Sequence, residues 1–320
     1  MSVRVSLAMP IYNGEQYVEE TIRSILAQDF TDFELIITDN ASTDRTEEIC
    51  RGFAARDQRI RYVRNERNLG ASANYNLGLS LATGEFFKWC AHDDLISPNC
   101  IGALVNALEQ DSEAVGAFPK TECIDEAGTV IPIVGRQLPD TRGLTPAQRF
   151  LRGVLQGGTM FEIFGLFRRD VLHKTMLHLP YYGSDRALLA EVALLGEFVR
   201  VPTATFFNRE HRARSININD KMTRARWQGA SATKTRAMEH CHLLAHLFAI
   251  SGRHGDVAAP LSLRMHLIRY AAQPAQMGRY AMELLGLIAP GGPTQVRAAA
   301  LKLTGALRSH SKTANPDVGR

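Results

Sequence analysis

The chain has 320 residues, with 37 Lys and Arg against 33 Asp and Glu for a formal charge of +4, and is 45% hydrophobic, 22% charged and 8% aromatic. Such a composition belongs to an ordinary packed protein and excludes disorder, collagen and coiled coil as descriptions of the whole. The small net charge hides a split: residues 1–208 hold 20 basic and 27 acidic side chains (−7), whereas residues 209–320 hold 17 and 6 (+11).

In chain order, the β-branched run Val3–Met9 ends at Pro10, and Gly14–Gln28 follows with apolar residues at helical spacing. Phe33–Thr38 reads as a second strand. Asp44-Arg45-Thr46-Glu47 then opens a helix to about Ala55. Ile60–Arg64 is a third strand, Ala71–Ala82 a third helix and Glu85–Cys90 a fourth strand, with another helix starting near Ser97-Pro98. A further strand is expected in Asp111–Pro119, an irregular excursion over Thr121–Pro139, and a helix from Pro146 to about Gln156. Ile163–Phe167 and Phe198–Phe207 read as strands around a helix at Arg186–Leu195. Beyond about residue 215, helical patterns occupy 223–250, 260–272, 277–288 and 294–308, broken by Gly and Pro. Strands alternating with helices predict an α/β fold with a mostly parallel central sheet over residues 1–215, followed by a basic helical region at 216–320.

Five cysteines show no C-x-x-C spacing, the N-terminus shows no leader-like pattern, and no run reaches the ~18 apolar residues of a membrane span. Reduced thiols and a cytoplasmic location are expected. No G-x-G-x-x-G follows a strand and no G-x-x-x-x-G-K-[ST] exists, so dinucleotide and P-loop readings lose their support.

In such folds ligands sit at the carboxyl ends of the strands, and that is where the polar residues gather. Pro10-Ile11-Tyr12-Asn13 follows the first strand, Asp39-Asn40-Ala41-Ser42-Thr43-Asp44 the second, and His92-Asp93-Asp94 the fourth. Asp93 and Asp94 are either hard oxygen ligands for a divalent cation or a turn leading to a helix cap. Asp39 can accept a hydrogen bond from a nucleobase or ribose. His242 and His246, four apart, read as an ordinary helix surface because the Glu of H-E-x-x-H is missing.

Together with Asn68-Leu69-Gly70 and Asn74, these segments resemble the family 2 glycosyltransferases over residues 3 to about 215. The resemblance implies the GT-A fold and inverting transfer from a nucleotide-diphosphate sugar to an acceptor hydroxyl. It implies that Pro10, Tyr12, Asn13 and Asp39 hold the donor base, with Asn68 and Gly70 shaping the adjacent loop. Asp93 would meet the ribose and Asp94 the metal, Mg²⁺ or Mn²⁺. Gly183-Ser184-Asp185 resembles the segment that supplies the catalytic base, which falls to Asp185. Arg209-Glu210-His211 resembles the Arg-x-His segment, His211 ligating the metal or touching the diphosphate and Arg209 pairing with phosphate oxygens. Gly165-Leu166-Phe167-Arg168-Arg169 resembles a segment near the acceptor side.

Two positions depart from the family pattern. Ala91 stands where the first carboxylate of Asp-x-Asp-Asp is usual, and Ser184 where a Glu is usual. They leave open a catalytically silent nucleotide-sugar binder or a membrane or partner adaptor on the same fold. A glycan or lipid-linked acceptor, a role in polysaccharide, lipopolysaccharide or glycolipid synthesis, and peripheral contact of the basic helices with the inner membrane complete the expectation. Nucleic acid is not among the expected partners.

Overall fold

The structure, a computed structural model, describes residues 3–133, 137–155, 160–230 and 237–289. Its first half is a series of β-α units. β1 (Val5–Ile11), β2 (Phe33–Asp39), β3 (Ile60–Arg64) and β4 (Phe86–Trp89) alternate with α1 (Val18–Leu26), α2 (Thr46–Ala54) and α3 (Ala71–Ser80). After the short β5 (Leu95–Ile96) come α4 (Cys100–Gln110), β6 (Ala114–Ile124), the two-residue β7 (Val130–Ile131) and α5 (Pro146–Leu155). β8 (Leu166–Arg168), α6 (Arg169–Leu172), α7 (Ser184–Leu195) and β9 (Glu197–Arg209) complete the sheet region. Four helices follow: α8 (Lys221–Gly229), α9 (Glu239–Arg253), α10 (Pro260–Ala271) and α11 (Pro274–Ile288).

The strands form one mixed sheet in the order β3-β2-β1-β4-β8-β6-β9-β5, with β7 paired to β6. β3, β2, β1 and β4 run parallel, as do β6 and β9, whereas β8 runs antiparallel to β4 and β6. Period-two alternation explains why β1 is buried along its whole length. Val5, Leu7, Met9 and Ile11 enter a cluster with Ile22 of α1, Cys50 of α2 and Leu104 of α4. Ala8 faces the other way, with Leu79 of α3 and Leu188 and Val192 of α7. A sheet clad on both faces has only its strand ends open to a ligand.

A third cluster joins Phe150 and Val154 of α5 and Ala187, Ala190 and Leu194 of α7 to Leu243, Leu247 and Ile250 of α9 and Leu263, Leu267 and Tyr270 of α10. The C-terminal helices are thus packed onto the α/β body. Among the described residues no helix is long and apolar enough to cross a membrane.

Three sequence expectations shift. Ile163–Phe167 is not one strand but a 3₁₀ turn over Phe161–Phe164 followed by β8. Gly165 lies between them, where a Cβ would come 2.3 Å from the Phe118 ring. β6 continues through Thr121–Ile124, because β9 supplies a register-matched partner from Lys120↔Thr205 to Ile124↔Arg209 after a bulge at Pro119. The helix expected over 223–250 is two helices. Asp220 caps α8 by accepting the Thr223 N–H at 2.6 Å, and α8 ends at Ala230 with φ +56°. The helix expected over 294–308 lies outside the described residues.

Candidate active site

The loops after β1 and β2 clip each other. Asn13, in the left-handed region at φ +52°, donates its N–H to Ser42 Oγ at 2.9 Å, while its Oδ1 accepts the Thr43 N–H at 2.8 Å. Tyr12 projects beside this clip, 43% exposed. Pro10, by contrast, is buried inside β1, paired with Thr38, and shapes the strand without offering a surface to a base.

Asp39, at the end of β2, is fully buried. It accepts the Ser42 N–H at 2.8 Å, the Tyr62 hydroxyl at 2.5 Å and Arg64 Nη1 at 3.1 Å. Burial and the Asp39 charge push the Tyr62 phenol up, so that it stays a donor. Beside it runs an amide network. Asn40 Nδ2 donates to Asn68 Oδ1 at 2.9 Å, and Asn65 Nδ2 donates to Asn40 Oδ1 at 3.2 Å and Asn74 Oδ1 at 3.0 Å. Asn68 Oδ1 also accepts the Gly70 N–H at 2.8 Å. Gly70 has φ +83°, and a Cβ there would lie 2.5 Å from the Ala230 nitrogen at the end of α8.

Hydrogen bonds to a buried charge contribute about 1.5–3 kcal/mol each, and removing their acceptor strands the donors. Asp39→Ala is therefore expected to lower unfolding free energy by roughly 3 kcal/mol, with Asp39→Asn losing less. Urea denaturation checks this, and unchanged midpoints would contradict the arrangement.

The second group lies at the ends of β4 and β9. Thr21 Oγ1 reaches the backbone carbonyls of His92 and Asp94 at 2.9 and 3.0 Å and fixes the turn that carries the carboxylates. Asp94 is 5% exposed; its Oδ1 accepts the Arg209 N–H at 2.8 Å and Asn208 Nδ2 at 3.1 Å. Burial, followed by the neighbouring Asp93 charge, pushes Asp94 well above the carboxylate range. Asp93 suffers the same burial, but the His92 and His211 imidazoles bring it down to about 2. His211 Nε2 stands 2.8 Å from Asp93 Oδ2, with its ring on Tyr17 at 4.9 Å.

Arg209 does not face a ligand. It is 1% exposed; Nε donates to the Asp93 carbonyl at 3.0 Å, Nη1 to the carbonyls of Asp125 and Glu126 at 3.3 and 3.1 Å, and Nη2 to Glu20 at 2.6 Å. Its fork braces the loop. Two arginines, Arg186 and Arg214, line the neighbouring cleft; Arg214 Nη2 donates to Asn208 Oδ1 at 2.8 Å and Nη1 pairs with Glu210. Arg168 and Arg169 likewise brace carbonyls, those of Ala114 and Leu108 and of Ala82, Gly84 and Thr83. They sit at the amino end of β4, opposite the site, and not near it as the motif suggests.

The cleft itself encloses 390 Å³ between the start of α3, the Phe161–Phe164 turn, the start of α7, the end of β9, α8 and α9. Asp185 lies in its wall in the first turn of α7, after Gly183 at φ +88°. Oδ1 accepts the Arg186 N–H at 2.9 Å, and burial raises the carboxyl above its ordinary value. Tyr75, from α3, lines the same cavity, and its phenol is pushed up by burial and then by Asp93, Asp94 and Asp185 together. Asp94 lies behind the cleft-lining Asn208, whose Nδ2 donates to it at 3.1 Å.

Ser184, buried, accepts Gln228 Nε2 at 3.3 Å, and the same nitrogen reaches Ser72 Oγ at 2.7 Å. The space a Glu would fill holds a neutral amide from α8. Trp227, 37% exposed, and Tyr182 make an edge-on pair at 6.3 Å on the rim. Tyr75, Asn208, Arg214, Trp227 and Gln228 were not singled out by sequence. Asn208 adjoins the Arg-x-His segment and Tyr75 lies three residues after Ser72, so a polar stripe on α3 is the signal that marks it.

Among the described residues, the side chains whose ligand atoms converge within 4.8 Å are Glu239, His240 and Glu283. Arg224 and Lys221 already meet their negative charge, at 2.7 Å each. His246 is 3% exposed and 2.9 Å from the Tyr181 hydroxyl, and His242 stacks on the same ring at 5.8 Å. Both pack against Tyr181, His246 buried and His242 half-buried, because α9 docks on α7.

The family profile described as glycosyl transferase family 2 matches residues 6–174, more than half the chain. Glycosyltransferase GlyG of Streptococcus pneumoniae is 36% identical over 116 residues, covering 36% of this chain and 38% of its own. A Campylobacter jejuni GalNAc(5)-diNAcBac-PP-undecaprenol beta-1,3-glucosyltransferase is 27% identical over 187 residues, 58% of each chain. The chain therefore spans under two thirds of both relatives. Among solved structures, the mannosyltransferase PcManGT of Pyrobaculum calidifontis, in complex with GDP-Man and Mn²⁺, superposes with a TM-score of 0.55 at 20% identity, covering 98% of this chain and 84% of its own. With its curled α/β sheet, polar strand ends and matched segments, the chain belongs to glycosyl transferase family 2 and has the GT-A fold.

Proposed function

We propose that the cleft transfers a sugar from a nucleoside-diphosphate donor to an acceptor hydroxyl with inversion at the anomeric carbon. The observation that carries this reading is Asp185, a buried carboxyl in the cleft wall, with Asp94 just behind the cleft-lining Asn208, whose amide donates to it at 3.1 Å. Asp185 takes the acceptor proton as the oxygen attacks the anomeric carbon; the bond from that carbon to the diphosphate breaks, and its electron pair leaves with the phosphate. A single in-line displacement inverts the centre.

Tyr12 and Asn13 flank the base, with Asp39 and the amide network holding their loops. Contact between the base and Asp39 itself requires the Arg64 side chain, 31% exposed, to swing aside. Asp93 meets the ribose, and Arg214 takes the phosphate role expected of Arg209. Trp227 and Tyr182 offer the acceptor sugar an apolar face.

Adjacent carboxylates with an imidazole suit Mg²⁺ or Mn²⁺, which rely on few protein ligands and complete their shells with phosphate oxygens and water. Asp94 and His211 would hold such a cation, and Asp94 keeps lone pairs beyond its two donors. When bound it supplies Lewis-acid charge to the departing diphosphate. PcManGT, seen with GDP-Man and Mn²⁺, supports this assignment. The Campylobacter relative, named for a PP-undecaprenol glycan, supports a lipid-linked or glycan acceptor and envelope-glycan synthesis at the cytoplasmic face of the membrane.

A ligand that binds only the folded state at 100 times its Kd adds about 2.7 kcal/mol of stability. In a thermal-shift screen, one nucleotide-diphosphate sugar should raise the melting temperature, and more so with Mn²⁺. A panel of uridine-, guanosine- and deoxythymidine-diphosphate sugars that leaves it unmoved would defeat the proposal.

A further inference from the structure

We propose that the outer face of α10 and α11 docks on an anionic phospholipid membrane. α10 is apolar on two opposite sides. One side, Leu263, Leu267 and Tyr270, closes the third cluster. The other, Leu261, Met265 and Ile268, falls on a single helical stripe and stands 73%, 46% and 51% exposed. α11 repeats the pattern with Met277, Leu284 and Ile288, at 57%, 50% and 86%. A face that met only water would carry polar side chains at these positions, as surface helices do.

Charge selects the occupant. Between residues 257 and 289 the exposed charged side chains are Arg264, Arg269 and Arg279. The one acidic residue of that stretch, Glu283, is buried against Lys221 and His240. On the wheel of α10, Arg264 and Arg269 fall on either side of the apolar stripe, so their stems can lie along it while the guanidinium groups reach phosphate. Apolar residues flanked by Arg on a surface helix match an interfacial membrane helix. A second copy of this face would bring the same two cations, Arg264 and Arg269, against one another, at a cost. The sequence from 290 to 320 holds five basic residues and one acidic, a charge that the same anionic surface attracts.

The surface is also placed for use. Glu283 of α11 accepts the N–H groups of His240 and Cys241 at 3.1 Å, and His240 lines the cleft. The docking face thus stands one helix away from the site. The inference rests on the surface alone and does not depend on the transferase reading.

Co-sedimentation of the full chain with vesicles tests it. The parent should pellet with phosphatidylglycerol/phosphatidylcholine vesicles, and about ten-fold less with pure phosphatidylcholine or in about 0.5 M salt, where charges are screened within a few ångströms. The pair Leu261→Ser with Ile268→Ser should lose about ten-fold in binding by losing apolar contact, with melting temperature unchanged because both positions are exposed. Arg264→Gln with Arg269→Gln should remove the salt-sensitive part alone, and it serves if the first variant folds poorly. No recovery with anionic vesicles overturns the proposal, as does equal recovery with neutral ones. A parent that elutes as a dimer dissolved by Ile268→Ser would make the face a self-interface and overturn it too.

Discussion

Asp185→Asn is expected to lower sugar transfer by roughly 10²–10⁴-fold, the usual contribution of a positioned general base, while the nucleotide sugar still stabilises the protein. The amide keeps the size of the side chain and its Oδ1 acceptor for the Arg186 N–H, so a fall in activity reports the lost proton acceptor and not a collapsed helix start. The pH behaviour adds a second check. Burial raises the Asp185 carboxyl above its ordinary 3.8. The base works only when ionised, so kcat/KM should climb with pH through that raised value, placing the acid limb above the ordinary carboxylate range.

The same shift fixes a sign for stability. A carboxyl whose folded-state pKa is raised favours folding when protonated, and that advantage disappears as pH rises from the unfolded value through the folded one. At neutral pH the ionised Asp185 therefore costs stability, and Asp185→Asn should melt higher than the parent, with the gap closing below about pH 4. Stability given up at a reactive group is a recurrent trade in enzymes. Parental transfer rates in the purified variant would remove Asp185 from the base role whatever the melting curves show.

Asp94→Asn should cost at least about 10²-fold in transfer and erase the extra thermal stabilisation that Mn²⁺ gives with donor, on the scale of losing several kcal/mol of charge stabilisation at the leaving group. Like Asp185→Asn, it should melt no lower than the parent at neutral pH, because a carboxyl raised by burial costs stability when ionised. The amide oxygen can still accept from Arg209 N and Asn208 Nδ2, now held at 2.8 and 3.1 Å, and burial no longer opposes an ionised group. A variant that loses Mn²⁺ response and activity without losing its fold separates ligand from scaffold. Were the Mn²⁺ response to persist in Asp94→Asn and vanish in His211→Ala, the cation would belong to His211 and Asp93.

The order of strands and helices through β4 was legible because each β-α unit carries its own periodicity and punctuation, and the polar runs at the strand ends announce the site. Asp93 and Asp94 were legible as positions past β4 in this way, whereas Asp185 was legible as the start of a helix through the resemblance of Gly183-Ser184-Asp185. Arg209 was not: an Arg after a strand in a basic stretch reads as a phosphate clamp, and only the packing of Glu20 and the Asp125 and Glu126 carbonyls around it shows that its donors are spent. Tyr75 and Gln228 escaped because their role comes from what faces them across the cleft. The Thr121–Ile124 extension of β6 depends on β9, about eighty residues away in the chain, and no local pattern encodes that partner.

For the proposed transfer, the close approach of Gly70 to the end of α8 has a consequence of its own. Trp227, Gln228, Glu239, His240 and Leu243 all come from beyond residue 215, yet they close one side of the cleft. Without that wall the anomeric carbon would face bulk solvent at 55 M, and water would be the commonest hydroxyl in reach. Because only hydrogen fits at position 70, the loop beside the nucleotide and the helix that shuts out water meet in van der Waals contact. For the proposed reaction, exclusion of water would then depend on the C-terminal helices as much as on the carboxylates.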